Sequence, residues 1–185
     1  ITKEELIRTP AGFAHTAFHT AFSDTEPERL VKKLNQELFA AHEFFKRSTA
    51  LVLTLGTAFA YRLKRTGEIV NNCHKLPASD FERILLTEEE IVDALEKASA
   101  AADFSGTSAS KIIVTISPVR HMRDGAEENS LSKAVLRCAV QQFVKKSRNR
   151  WYFPSYEIMM DELRDYRWYK DNLTHPSEQA VDYIV

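Results

Sequence analysis

The stretch KIIVTISPV, residues 111–119, decides the fold. Its run from Ile112 to Ile116 is apolar or β-branched with no alternating polar face, and Pro118 stops it, which is the pattern of a strand buried on both sides. Two buried faces require a central strand in a sheet covered by helices.

The neighbouring phrases supply those helices. Before it, LLTEEEIVDALEKASAA (residues 85–101) places Thr87 and Glu90 at capping-box spacing, with Ile91, Ala94, Leu95 and Ala98 on one face. After it, NSLSKAVLRCAVQQFVKK (residues 129–146) is expected to turn Leu131, Val135, Cys138, Ala139 and Phe143 inward. RWYFPSY then reads as a short strand ended by Pro154, followed by a helical stretch over 156–163 and a last helix after His175. Upstream, ALVLTLGTAFAYRL (residues 50–63) reads as a buried strand ending in a turn at Gly56, and AYRLKRTGEIVNN as a hairpin around Thr66 and Gly67. A helix begins near Asp24 or Thr25, with Pro27 in its first turn and Leu30, Leu34, Leu38, Ala41 and Phe45 at helical spacing. Residues 1–24 have no clear period and read as irregular or partly helical.

Helices alternating with strands predict an α/β fold, a doubly wound parallel sheet in one domain spanning residues 1–185. Three main strands make a thin sheet, since such sheets usually carry about five. The chain also opens on isoleucine inside a helix-prone phrase, ITKEELI. We therefore expect a cut piece whose first strands are missing, with self-association through an exposed sheet edge.

Composition narrows the function classes. Lys and Arg number 25 against 26 Asp and Glu, and the one basic run, KKSRNR from Lys145, sits at a helix end, so nucleic-acid binding is not expected. No apolar run approaches the roughly 20 residues of a membrane helix, so no membrane span is expected. Cys73 and Cys138 lack metal-ligand spacing and read as reduced thiols, which favours a cytoplasmic setting. His15 and His19 lie on one helical face if that segment is helical, but Phe13, Phe18 and Phe22 around them favour packing over metal binding. No metal and no cofactor are expected.

In open parallel sheets ligands bind beyond the carboxyl ends of the strands. That rule selects LGTAF after the first main strand, SPVRHMRDG after the second and PSYE after the third. Arg120, His121, Arg123 and Asp124 form a polar cluster suited to an anion or an oxygen-rich substrate, or to a solvated loop. Gly56 allows close approach of a ligand, and its amide could donate to an oxyanion. His74, in NNCHKLPASDF, either lines the site or caps a loop. In the closing phrase DNLTHPSEQAVDYIV, His175 precedes a helix start, with Asp171 and Asn172 just before it. A histidine so placed can take a serine's proton while a neighbouring group orients its ring.

Together LTLGTAFAYRL, NNCHKLPASDF, ISPVRHMRDGAEENSLSKAVL, YFPSYEIMMDELRDYRWY and NLTHPSEQAVDYI resemble the GSCFA family, named for a Gly-Ser-Cys-Phe-Ala motif and placed among the SGNH/GDSL-like hydrolases. The likeness runs from about Gly12 to the end and is nearest to Bacteroidetes members. It implies a three-layer α/β/α, flavodoxin-like fold whose nucleophilic serine lies upstream of these residues, where the naming motif stands. His175 falls on the superfamily's catalytic histidine. The acid usually three residues before it is Asn172 here, with Asp171 beside it. Gly56 matches the glycine of the superfamily's third sequence block, and Ala58 stands where an oxyanion-hole asparagine often does. Thr57, Ser117, Arg120, His121 and His74 are the candidate substrate-binding residues. The implied activity is acyl-ester hydrolysis or acyl transfer on a small-molecule or carbohydrate ester. The alternative is an SGNH-like module that binds carbohydrate or anions without turnover.

Overall fold

The computed structural model describes residues 1–101 and 111–185. In chain order its elements begin with β1 (Ile7–Thr9), β2 (Gly12–Ala14), α1 (Pro27–Phe45), β3 (Ala50–Leu55), β4 (Phe59–Leu63), β5 (Ile69–Val70) and β6 (Phe81–Leu85). They continue with α2 (Glu88–Ala101), β7 (Lys111–Ile116), α3 (Gly125–Lys145), β8 (Arg150–Phe153), α4 (Ser155–Glu157) and α5 (Glu178–Ile184). These residues fall into two compact units, Ile1–Arg47 with Phe59–Leu85 and Ser48–Ala58 with Leu86–Val185.

In the first unit, β1 and β2 form an antiparallel hairpin where irregular or partly helical chain was expected. Gly12 has a φ of +117°, and a Cβ there would collide with the Asp24 carbonyl, to which the Phe13 amide is bonded at 2.7 Å. The expected hairpin at Thr66 and Gly67 joins β4 to β5, with Gly67 at a φ of 75°. Its third strand, β6, pairs antiparallel with β4 and was not anticipated, because FERIL carries an adjacent acid and base that mask its period. α1 starts at Pro27 as its fixed φ favours. Asp24 accepts from the Glu26 amide and pairs with Arg29, whose hydrogen bond does most to pull the Asp24 carboxyl down to about 2. Leu30 and Leu34 are buried, but Leu38, Ala41 and Phe45, which continue the same helical spacing, are exposed. The stripe is buried over the first turns of the helix only.

The second unit carries the parallel sheet, in the order β3-β7-β8. β7 is its central strand, with Ile112, Val114 and Ile116 buried. β3 is an edge strand rather than a fully buried one: Leu51, Leu53 and Leu55 are half-buried, whereas Ala50, Val52 and Thr54 are exposed. α2 begins with the expected capping box, Glu90 N donating to Thr87 Oγ1 at 3.2 Å and Thr87 N to Glu90 Oε2 at 2.8 Å. It packs on α3 and buries Ile91, Val92 and Leu95, so its inner face is rotated from the expected Ile91, Ala94, Leu95 and Ala98.

The face of α3 is rotated as well. Leu131 and Cys138 are exposed and Val135 is half-buried, while Ser132, Lys133, Leu136, Ala139, Val140 and Phe143 are buried. Apolar content alone placed Ala139 and Phe143 correctly but missed the rest of the stripe, which includes a serine and a lysine that bond to the strand ends. Beyond β8, α4 runs into a single π turn, Ile158–Glu162. Met159, Leu163 and Tyr169 pack with Ala180 and Ile184 of α5, whose amino end is capped by Ser177 Oγ accepting from Ala180 N at 3.2 Å. Among the described residues no helix is long and apolar enough to cross a membrane.

Candidate functional site

The carboxyl ends of β3 and β7 are tied together by one side chain from α3. Lys133 is 2% exposed, and its ammonium donates to Gly56 O and to Ser117 O, each at 2.6 Å. His121 Nε2 lies 3.1 Å from the same Gly56 carbonyl, which fixes that nitrogen as the protonated one, and the His121 amide donates to Asn129 Oδ1 at 3.0 Å. A Cβ at Gly56 would meet the His121 ring at 3.6 Å, an ordinary contact distance. Burial pulls the Lys133 amine down to about 8, since a cation out of water is disfavoured.

Ser132 secures the next turn. Its hydroxyl accepts from the Ala58 amide at 2.7 Å and lies 2.9 Å from Thr57 Oγ1. Ala58 therefore offers no side-chain donor, and its amide is already committed. The Thr57 and Ser117 hydroxyls also serve the fold, the latter accepting from the Val119 amide at 3.2 Å. On the third segment, Ser155 Oγ donates to Ile116 O at 2.8 Å and holds the start of α4 against β7.

The His175 loop joins this rim through main chain. Arg120 N donates to Thr174 O at 3.1 Å, and the loop is closed on itself by Lys170 N to His175 O at 2.8 Å and by a bridge between Tyr169 and Pro176. Leu173 takes a φ of 54° to make the turn. Asn172 organises the result. Its Oδ1 accepts from the amides of Thr174 at 2.9 Å and His175 at 3.1 Å, and its Nδ2 lies 3.0 Å from His175 Nδ1. Two backbone donors fix which end of the carboxamide is oxygen, so Nδ2 is the donor to Nδ1 and the neutral ring carries its proton on Nε2. No hydrogen bond joins Asp171 to the ring among the described residues; the orienting contact comes from Asn172.

A cleft opens beside this loop. Arg120 projects along it with its Cζ 4.2 Å from the ring centroid of Tyr169 and 5.2 Å from that of Tyr166. One lobe, of about 390 Å³, is lined by Arg120, His121, Met122, Asn129, Tyr156 and Met160 among others. A second lobe of about 320 Å³ shares Arg120, Met160 and Tyr166.

His74 lies in the first unit. It is 3% exposed, with Nε2 2.9 Å from His15 O and Nδ1 3.4 Å from Thr20 Oγ1, and its φ of 49° belongs to a loop closed by Asn72. His15 and His19 each accept from the amide two residues on, through Nδ1 at 3.1 Å. Among the described residues no group of three or more His, Cys, Asp or Glu could hold a metal ion. Lys133, Ser132, Tyr166 and Tyr169 were missed as site residues. The aromatic run YRWY was a usable signal; a lysine inside a helix was not.

A parallel α/β sheet whose strand ends meet an oriented histidine defines the class: an α/β protein with a polar site at the carboxyl edge of its sheet. The chain belongs to the GSCFA family, whose family model matches residues 1–185, its whole length. No curated protein and no solved structure matches it.

Proposed function

We propose that this protein is an acyl-ester hydrolase or acyltransferase of the SGNH/GDSL-like type with a flavodoxin-like α/β/α fold, acting on acylated small molecules or carbohydrate. One observation carries the reading: His175 is held by Asn172 in a loop bonded to the segment that follows the central strand. In this mechanism a serine from the family's naming motif, outside these residues, attacks the ester carbonyl and His175 Nε2 accepts its proton. Gly56 contributes an amide to the oxyanion hole. His175 then protonates the leaving alcohol, and water or an acceptor alcohol releases the acyl group.

The test is aryl-acetate hydrolysis and fluorophosphonate labelling of this chain beside a longer version carrying the segment to which the naming motif belongs. Activity confined to the longer version and abolished by His175→Ala supports the proposal. Silence in both sinks it.

A second reading is a module that binds carbohydrate or anions without turnover. The Asn172 carboxamide favours it, because it donates to the ring where an acid would accept. To act as a base at Nε2 the ring must move its proton to Nδ1 and give up that bond, a cost of about 1–3 kcal/mol.

A further inference from the structure

We infer that Arg120, with Tyr166 and Tyr169, forms a carboxylate-recognition subsite, so that the ligand of this site is an ester carrying a carboxylate at the end of an apolar arm. The inference deepens the hydrolase reading and rests on it only for the word ester.

Three observations carry it. First, the guanidinium lies over two phenol rings, with its Cζ 4.2 and 5.2 Å from their centroids, and such cation–π contacts do not use up the N–H fork that a bidentate oxyanion would need. Among the described residues no carboxylate pairs with Arg120, whereas the nearby Arg164 and Arg167 pair with Asp161 and Asp165. A half-buried guanidinium that lines a cleft and has no acidic partner among the described residues suits an anion of matching shape. Second, the walls beside it include Met122, Met160, Tyr156 and Tyr166, which suit carbon, with His121, Asn129 and Ser130 as the polar part of the lining. Third, the Arg120 amide is bonded to Thr174 O, one residue from His175, so the segment that carries the guanidinium is tied to the loop that carries the proposed base.

Arg164 and Asp165 both stand in the wall of the second lobe, each paired with an opposite charge, Asp161 and Arg167. Arg120 is thus the guanidinium of this lining without an acidic partner among the described residues, and one such charge suits a monoanion such as a carboxylate better than a dianion. The lobes, about 320 and 390 Å³, lie in the range of small-ligand sites and exceed what a free ion fills.

The experiment is an NMR titration of the 185-residue chain with hexanoate, with hexanamide as its neutral counterpart and inorganic phosphate as the competing anion. The Arg120 side-chain N–H and the Tyr166 and Tyr169 ring signals are followed. We expect saturable shifts with hexanoate, and binding weaker by about tenfold or more for hexanamide, for phosphate and for the Arg120→Met variant. Met keeps much of the stem packing, and a melting curve reports whether the variant is folded; if it is not, the Arg120 signal of the unaltered chain decides. Equal binding of hexanoate and hexanamide, tighter binding of phosphate, or undiminished binding by folded Arg120→Met would each overturn the inference. The titration needs no catalysis. Hexanoate binding with no ester hydrolysis by the longer version would sink the hydrolase reading alone, and hydrolysis by the longer version without hexanoate binding would sink this one alone.

Discussion

The carboxamide of Asn172 decides what the His175 ring can do. With Oδ1 held by two backbone amides, its NH₂ meets Nδ1, and the ring is presented with a proton where a base needs a lone pair. An aspartate in the same place would keep both backbone bonds through one oxygen and accept Nδ1–H through the other, freeing Nε2 and stabilising the imidazolium. Asn172→Asp should therefore raise aryl-acetate kcat/KM of the longer version about tenfold or more, while Asn172→Ala lowers it. A rise is read as removal of a penalty of about 1.4 kcal/mol per tenfold. An unchanged rate in Asn172→Asp would mean that His175 is not the base. The sequence made Asn172 visible as a departure from an acid, yet left Asp171 as an equal candidate, because spacing alone does not say which residue of a turn faces the ring. The two amide bonds and the positive φ of Leu173 settle that.

At the level of elements, Lys133 shows why periodicity located α3 but misassigned its face. A pattern that counts apolar residues assigns lysine to solvent, whereas here the carbonyls of Gly56 and Ser117, at the chain ends of β3 and β7, both accept from its buried ammonium. The capping box of α2 was legible because both partners lie within one turn; the Lys133 contacts span the fold and leave no local signature. The cost of burying this cation makes a pH prediction. In the folded chain the amine titrates near 8 against 10.5 for the free group, so between those values the unfolded chain binds more protons. Stability must then rise with pH across that window and be flat below it. Measured against Lys133→Met at pH 7 to 10.5 by denaturant unfolding, the wild-type-minus-variant difference should climb above pH 8, by a few kcal/mol at most at about 1.4 kcal/mol per pKa unit. A difference that falls with pH would show that the two carbonyls hold the charged form more strongly than burial opposes it.

For the whole molecule the open question is the edge of the parallel sheet. The strand rhythm foretold a parallel α/β protein, but ALVLTL is as apolar as KIIVTI, so nothing local distinguished an edge strand from a central one. The hydrogen bonds do. Thr49 and Leu55 turn their carbonyls to β7, accepting from Lys111 and Ser117, so the intervening alternation directs the backbone groups of Ala50, Val52 and Thr54 to the opposite side. Val52 is also 59% exposed, on a strand with no charge, proline or bulge to blunt it. We propose that a second copy of this chain pairs with that edge. Sedimentation velocity over a concentration series should show association, and Val52→Pro should abolish it. Proline at this position removes a donor that faces the edge while leaving the bonds to β7 intact, so its melting temperature reports separately on the fold. A chain that sediments as a monomer at every concentration would contradict edge pairing, and association that survives Val52→Pro would assign it to another surface, the exposed Phe39 and Phe44 of α1 being the next to alter.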